Sequence, residues 1–264
     1  MPFWIIILLA ILFILFTISA VLYIIQDTMI FHAEKLPANF TFSFRNAFEE
    51  FNLKTEDGEN LNGLLFKVDK SKGVVLFFHN HSGNINHWSR SAVFINNLNY
   101  DVLMMDYRGF GKSTGSFNEQ KMFNDSLLWY NFTKKLYSEN KIMVYGRGLG
   151  AAFATYAASK NKPIKMVLES PIFSVYKTAK SHYPYIPTKL ILKYNFETSK
   201  YIGKVKCKTY FFHGLKDNLV PYSSSEKLHE LIKGNSELYL IPEGSHYDLI
   251  NSNVFLEKIK EITK

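Results

Sequence analysis

Hydrophobic and polar positions divide the chain into two unlike parts. Residues 3–25 carry no charge, and only Thr17 and Ser19 are mildly polar. A helix needs about 20 apolar residues to cross the hydrocarbon core of a bilayer. Trp4 and Tyr23 stand near the two ends of the run, as interfacial aromatics do. No Lys or Arg precedes it, and it is longer than the apolar region of a secretory signal. Residues 1–26 are therefore expected to be a single transmembrane anchor, with cleavage near Ser19-Ala20 as the alternative. Residues 27–40 read as a connector. Lys35 and Arg45, the nearest downstream bases, give little orientation bias and leave the side of the membrane open.

Beyond the connector the period changes. Residues 44–53 and 61–68 read as strands about a turn at Glu56-Asp57-Gly58. Residues 74–79, 101–107, 142–145, 164–168, 209–213 and 238–241 are short apolar runs, as in strands buried on both faces. Helical patterns lie at 85–98, 122–136, 224–232 and 254–262, and a small-residue helix follows Gly150. Strands alternating with helices predict an α/β domain over 41–264, with a mostly parallel sheet covered on both faces. Residues 171–205 interrupt the alternation with aromatics and two prolines. They read as a lid-like insertion of short helices, either a binding surface or a packed surface loop.

At 264 residues the chain is long enough for a full core, and its 16% aromatic content excludes a disordered chain. The net charge of +8 is spread out, with a local concentration at Lys204, Lys206 and Lys208. Such a balance suits a solvated basic surface or a neighbouring anionic membrane. No arginine-rich arm or zinc pattern supports nucleic-acid binding. Cys207 is the one cysteine, which excludes intramolecular disulfides and cysteine-rich metal sites.

The candidate chemistry centres on 141–152, where an apolar run breaks into Gly146-Arg147-Gly148-Leu149-Gly150 and a helical pattern follows. Strand, sharp turn and tightly packed helix form the context of a nucleophile elbow, Gly-x-Ser-x-Gly. Gly148 stands where the serine would be. Asp217 follows one strand and His246 the next, in the chain order of an acid and a histidine behind a nucleophile. Asp217 would orient His246 and stabilise its charged form. The backbone N–H groups of Leu149 and His81 are the expected oxyanion-hole donors. Ser82 and Ser113 are alternative nucleophiles, although each is better explained as a loop hydroxyl bonding backbone.

Several motifs together resemble the single-pass membrane α/β-hydrolases related to protein depalmitoylases and serine-aminopeptidase-like hydrolases. They are His79-x-x-x-Gly83-Asn84, the stretch Asp106-Tyr107-Arg108-Gly109-Phe110-Gly111-Lys112-Ser113, the elbow, Ser170-Pro171-Ile172-Phe173, His213-Gly214-x-x-Asp217 and Gly244-Ser245-His246. The resemblance implies an α/β-hydrolase fold and a Ser-His-Asp esterase, thioesterase or amidase that needs no cofactor or metal. The aromatic insertion and the membrane anchor point to a small-molecule or acylated, lipid-like substrate. Two departures from the family stand out: Gly148 for serine, and Asn80 where the family's oxyanion loop has glycine. They read as two separate changes that impair ordinary serine catalysis, so the alternative is a pseudo-hydrolase that binds a ligand or partner. Gly148 should relieve the strain that an elbow imposes on any other residue. Oligomeric state is not legible.

Overall fold

The computed structural model describes residues 2–232 and 234–264. It opens with α1, Phe3–Ile30, a 28-residue helix whose most apolar stretch is not covered by any other part of the chain. By length and composition α1 can cross a membrane. The helix runs four residues past the expected boundary at 26, because the polar residues that end the apolar run bond outward instead of capping it. Gln26 is the buried residue of α1. Its side-chain N–H donates to the Ile191 carbonyl at 2.8 Å and its oxygen accepts from the Lys193 N–H at 2.8 Å. Asp27 accepts from the Tyr194 hydroxyl at 2.9 Å and faces the Lys193 ammonium at 3.3 Å. Phe31 then enters the core, stacked on Phe117 at 4.2 Å. The expected connector is therefore ordered. Its β1, His32–Ala33, pairs in parallel with β5, Ser82–Gly83.

The main sheet has eight strands. β2 (Phe48–Lys54) and β3 (Asn60–Phe66) form the expected hairpin, and β3 is antiparallel to its other neighbour, β6 (Asp101–Met105), as well. From β6 the order continues through β4 (Val74–Phe78), β7 (Ile142–Arg147), β8 (Lys165–Glu169), β9 (Lys208–Gly214) and β10 (Ser236–Ile241), all parallel. Alternation along these strands fills two cores. Val74, Leu76 and Phe78 of β4 face one core, shared with α3 (Glu119–Leu136), α4 (Gly150–Lys160) and α8 (Ser223–Glu230). Val75 and Phe77 face the other, with α2 (Ile85–Asn96) and α9 (Asn253–Ile262). The α/β architecture expected from the periodicity is the one observed.

The 171–205 excursion holds α5 (Val175–His182), α6 (Thr188–Ile191) and α7 (Ser199–Ile202). β4 is bounded by β6 on one side and β7 on the other, and α2 and α4 leave β4 and β7 towards opposite faces. That divergence opens a crevice at the carboxyl ends of β4 and β7, where ligands bind in open α/β sheets.

Candidate active site

The turn after β7 has the geometry that a nucleophile elbow requires. Gly148 has φ +55°, the left-handed region that costs a non-glycine residue about 1–3 kcal/mol. The Gly148 N–H donates to the Glu169 carbonyl at 2.9 Å, which ties the turn to β8. Gly150 is needed for another reason. A Cβ there would lie 2.1 Å from the Phe78 carbonyl oxygen, so glycine lets the start of α4 press against the end of β4.

On the far side of the crevice, loops after β9 and β10 bring Asp217 and His246 together. His246 Nδ1 lies 2.7 Å from Asp217 Oδ2. A carboxylate only accepts, so Nδ1 carries the proton and Nε2 is the free acceptor, aimed into the crevice. Asp217 Oδ1 also accepts from the N–H groups of Leu219 and Val220 at 2.9 and 2.8 Å. His213, fully buried, stands 3.2 Å from Oδ2. Burial pushes the Asp217 carboxyl up, but the hydrogen bonds from His213, His246 and the Val220 N–H outweigh it and hold the group well below the usual carboxylate range. Arg147, bonded by its guanidinium to the His246 carbonyl at 3.1 Å, joins the two sides.

The side chain of Asn80 fills the space between. Its oxygen accepts from the Leu149 N–H at 3.1 Å and the His81 N–H at 2.8 Å, the two groups expected to form an oxyanion hole. His81 Nδ1 is a third partner at 2.8 Å. The amide nitrogen lies 2.9 Å from His246 Nε2 and donates to it. This network fixes the amide orientation, since the reverse would set an NH₂ against two N–H donors and an oxygen against an acceptor nitrogen. A Cβ built at Gly148 would fall 2.2 Å from the Asn80 oxygen and 2.5 Å from its Cγ. The Asn80 carboxamide thus occupies the room of a serine side chain at 148 and of the oxyanion beside it. The two departures from the family pattern meet in space: the Asn80 carboxamide stands where a side chain at 148 would go.

Of the alternative hydroxyls, Ser113 is buried, donates to the Asp106 carbonyl at 2.8 Å and accepts from the Asn62 N–H at 2.9 Å. Neither Ser113 nor Ser82 reaches the crevice's cavity. That cavity, of about 410 Å³, is lined by Asn80, His81, Gly148 and His246 at its polar end and by apolar residues of α1 and the 171–205 segment elsewhere. His81 is held down to about 4, chiefly by burial and then by the neighbouring His32, His246 and His79, so its ring is neutral at ordinary pH. Among the described residues no cluster of His, Cys, Asp and Glu is arranged to hold a metal ion.

An elbow after the central strand, followed by an acid and a histidine after the last two strands, is decisive for the fold. The chain has the α/β-hydrolase fold. The serine aminopeptidase S33 family profile matches residues 69–194. A membrane protein of Saccharomyces cerevisiae, YNL320W, is 29% identical over 81% of this chain and 78% of its own length. The lysophosphatidylserine lipase ABHD12 of Danio rerio is 26% identical over 64% of this chain and 49% of its own. Among solved structures, the Pyrococcus furiosus esterase Pf2001 superposes with a TM-score of 0.69, at 22% identity, over 88% of this chain and 94% of that one.

Within this fold, sequence reasoning brought Gly148, Leu149, His81, Asp217 and His246 to one place, and the structure sets all five around one crevice. It treated Asn80 only as a missing glycine. No sequence signal gave its role, because only the pairing of β4 with β7 brings position 80 to position 148. The contribution of α1 to the cavity was not foreseen, because the apolar run looked like an anchor alone.

Proposed function

We propose that this chain is a membrane-anchored α/β-hydrolase-fold protein that binds an apolar, acyl-bearing small molecule and has lost ordinary serine hydrolysis. The observation that carries this reading is the Asn80 carboxamide seated on the Leu149 and His81 N–H groups, where an oxyanion would have to form. Stabilising developing negative charge at such donors is usually the largest catalytic contribution of these sites, and here the donors are already engaged. A water in place of the serine is no remedy, because His246 Nε2, its would-be base, already accepts from Asn80. The cavity is preserved, its wall is mainly apolar, and one relative is named for acting on a lysophospholipid. The apolar α1 supports membrane anchorage.

The purified full chain, exposed to a fluorophosphonate probe and a panel of acyl esters and thioesters, should show no labelling and no turnover above a His246→Ala control. Turnover at hundreds per second, well inside the usual enzyme range of about 1–10³ per second, would refute the reading.

A further inference from the structure

The last two turns of α1 are a wall of the cavity as well as the end of an anchor. Leu22 and Met29 both line it, and they are about 10 Å apart along the helix at 1.5 Å per residue. Leu22 still belongs to the apolar run, which ends at residue 25, whereas Met29 lies beyond it. A helix whose apolar run matches the hydrocarbon core puts the bilayer boundary between these two residues. Residues on both sides of that boundary line the cavity, and Asn80, His81 and His246 line its polar part.

The rim is built to meet a membrane. Tyr185 is 98% exposed and Leu190 86%, both on the segment that Gln26 ties to α1. Residues 171–205 carry six lysines against the single acidic Glu197, a charge that draws this surface to an anionic leaflet. Lys193 sits over the Tyr23 ring at 4.9 Å, at the depth where interfacial aromatics collect.

From this geometry we infer that a membrane lipid reaches the cavity sideways from the bilayer, along the face of α1 that lines it. Its polar head moves inward to Asn80 and His81 while its acyl chain stays along Leu22 and Met29. The chain never crosses water, so its transfer costs none of the hydrophobic free energy that leaving the bilayer into solvent would demand. The inference rests on the ligand-binding reading and adds to it a ligand source and a route.

The test uses the full chain reconstituted in lipid nanodiscs that contain a photoactivatable diazirine fatty acid, with crosslinked positions mapped by mass spectrometry. Crosslinks are expected at Ala179 and Ile186 inside the cavity, as well as at Phe13 and Phe16 on the lipid-facing part of α1. Ala179→Trp, which fills the cavity, should reduce the Ile186 crosslink tenfold or more and leave Phe13 and Phe16 unchanged. Leu22→Trp, which narrows the membrane end from a helix outside the folded core, should reduce the Ala179 and Ile186 crosslinks equally. Labelling confined to Phe13 and Phe16 would overturn the inference. So would cavity labelling that Leu22→Trp does not diminish, because the chain would then arrive by another path. Crosslinking does not depend on turnover: an active esterase would refute the proposed function and leave this result standing.

Discussion

The two sides of the crevice have fared differently. On the β9–β10 side, Asp217 and His246 keep the contact that an acid and a base need, with the His246 tautomer set and its unprotonated nitrogen directed inward to Asn80. On the β4–β7 side, position 148 is a glycine and the Leu149 and His81 N–H groups are occupied by Asn80. The difference follows from what else each residue does. Asp217 closes its own loop by accepting from Leu219 and Val220 and faces buried His213, so its loss would harm folding whatever the chemistry. A serine at 148 would serve no structural purpose; glycine even removes the backbone strain of the turn.

The largest effect should come from rebuilding the lost side. Asn80→Gly with Gly148→Ser returns the hydroxyl and clears the donors, and esterase turnover should rise by at least ~10³-fold over the unmodified chain, against the roughly millionfold that a nucleophile commands in a serine protease. Fluorophosphonate labelling reports it, and His246→Ala should abolish the gain. Gly148→Ser alone should stay inactive, since its side chain would collide with Asn80. If the single change restores activity, the Asn80 carboxamide is not the obstruction described above.

Next in size is Asp217→Ala on the intact side. It leaves buried His246 and two backbone N–H groups without their partner, and chemical denaturation should show a loss of about 3–5 kcal/mol. A loss below about 1 kcal/mol would remove the explanation given for its persistence.

Gly148→Ala sharpens the comparison further. Backbone strain and the clash with Asn80 should together cost about 2–4 kcal/mol, and the same substitution in an Asn80→Gly background should cost the strain alone. Equal costs in the two backgrounds would mean that the sites are not coupled.

The smallest effect is a pH slope. His81 titrates at about 4 in the folded chain and near 6.5 unfolded, so between these values the unfolded state binds more protons. Stability should be full above pH 6.5 and fall by of order 1–3 kcal/mol as pH drops towards 4. His81→Asn should flatten that slope in urea titrations. Asp217 acts with the same sign at lower pH: its contribution is present above about pH 4 and is lost as acid protonates the folded carboxylate.

The fold was legible because a parallel sheet buried on both faces leaves continuous apolar strands, and the turns between them kept their glycines and histidines in order. The elbow, the acid and the base could be placed from chain order. What could not be placed was anything that depends on side chains meeting across the crevice. Asn80 and Gly148 are 68 positions apart, and only the pairing of β4 with β7 makes them neighbours. The end of α1 escaped for a similar reason: Gln26 and Asp27 read as the close of an anchor, whereas their partners, Ile191, Lys193 and Tyr194, lie more than 160 residues along the chain.

The exchange of one side chain for another at 80 and 148 has a bearing on history. A chain in this state cannot go back by single steps. Restoring serine first meets an occupied site, and restoring glycine first leaves a hole and two unanswered N–H groups with no activity to select for. Each intermediate is worse than where it began, so the passage works as a ratchet. On the proposed reading, a lineage that passes it is released from serine hydrolysis, and the pocket is then open to selection for holding a ligand.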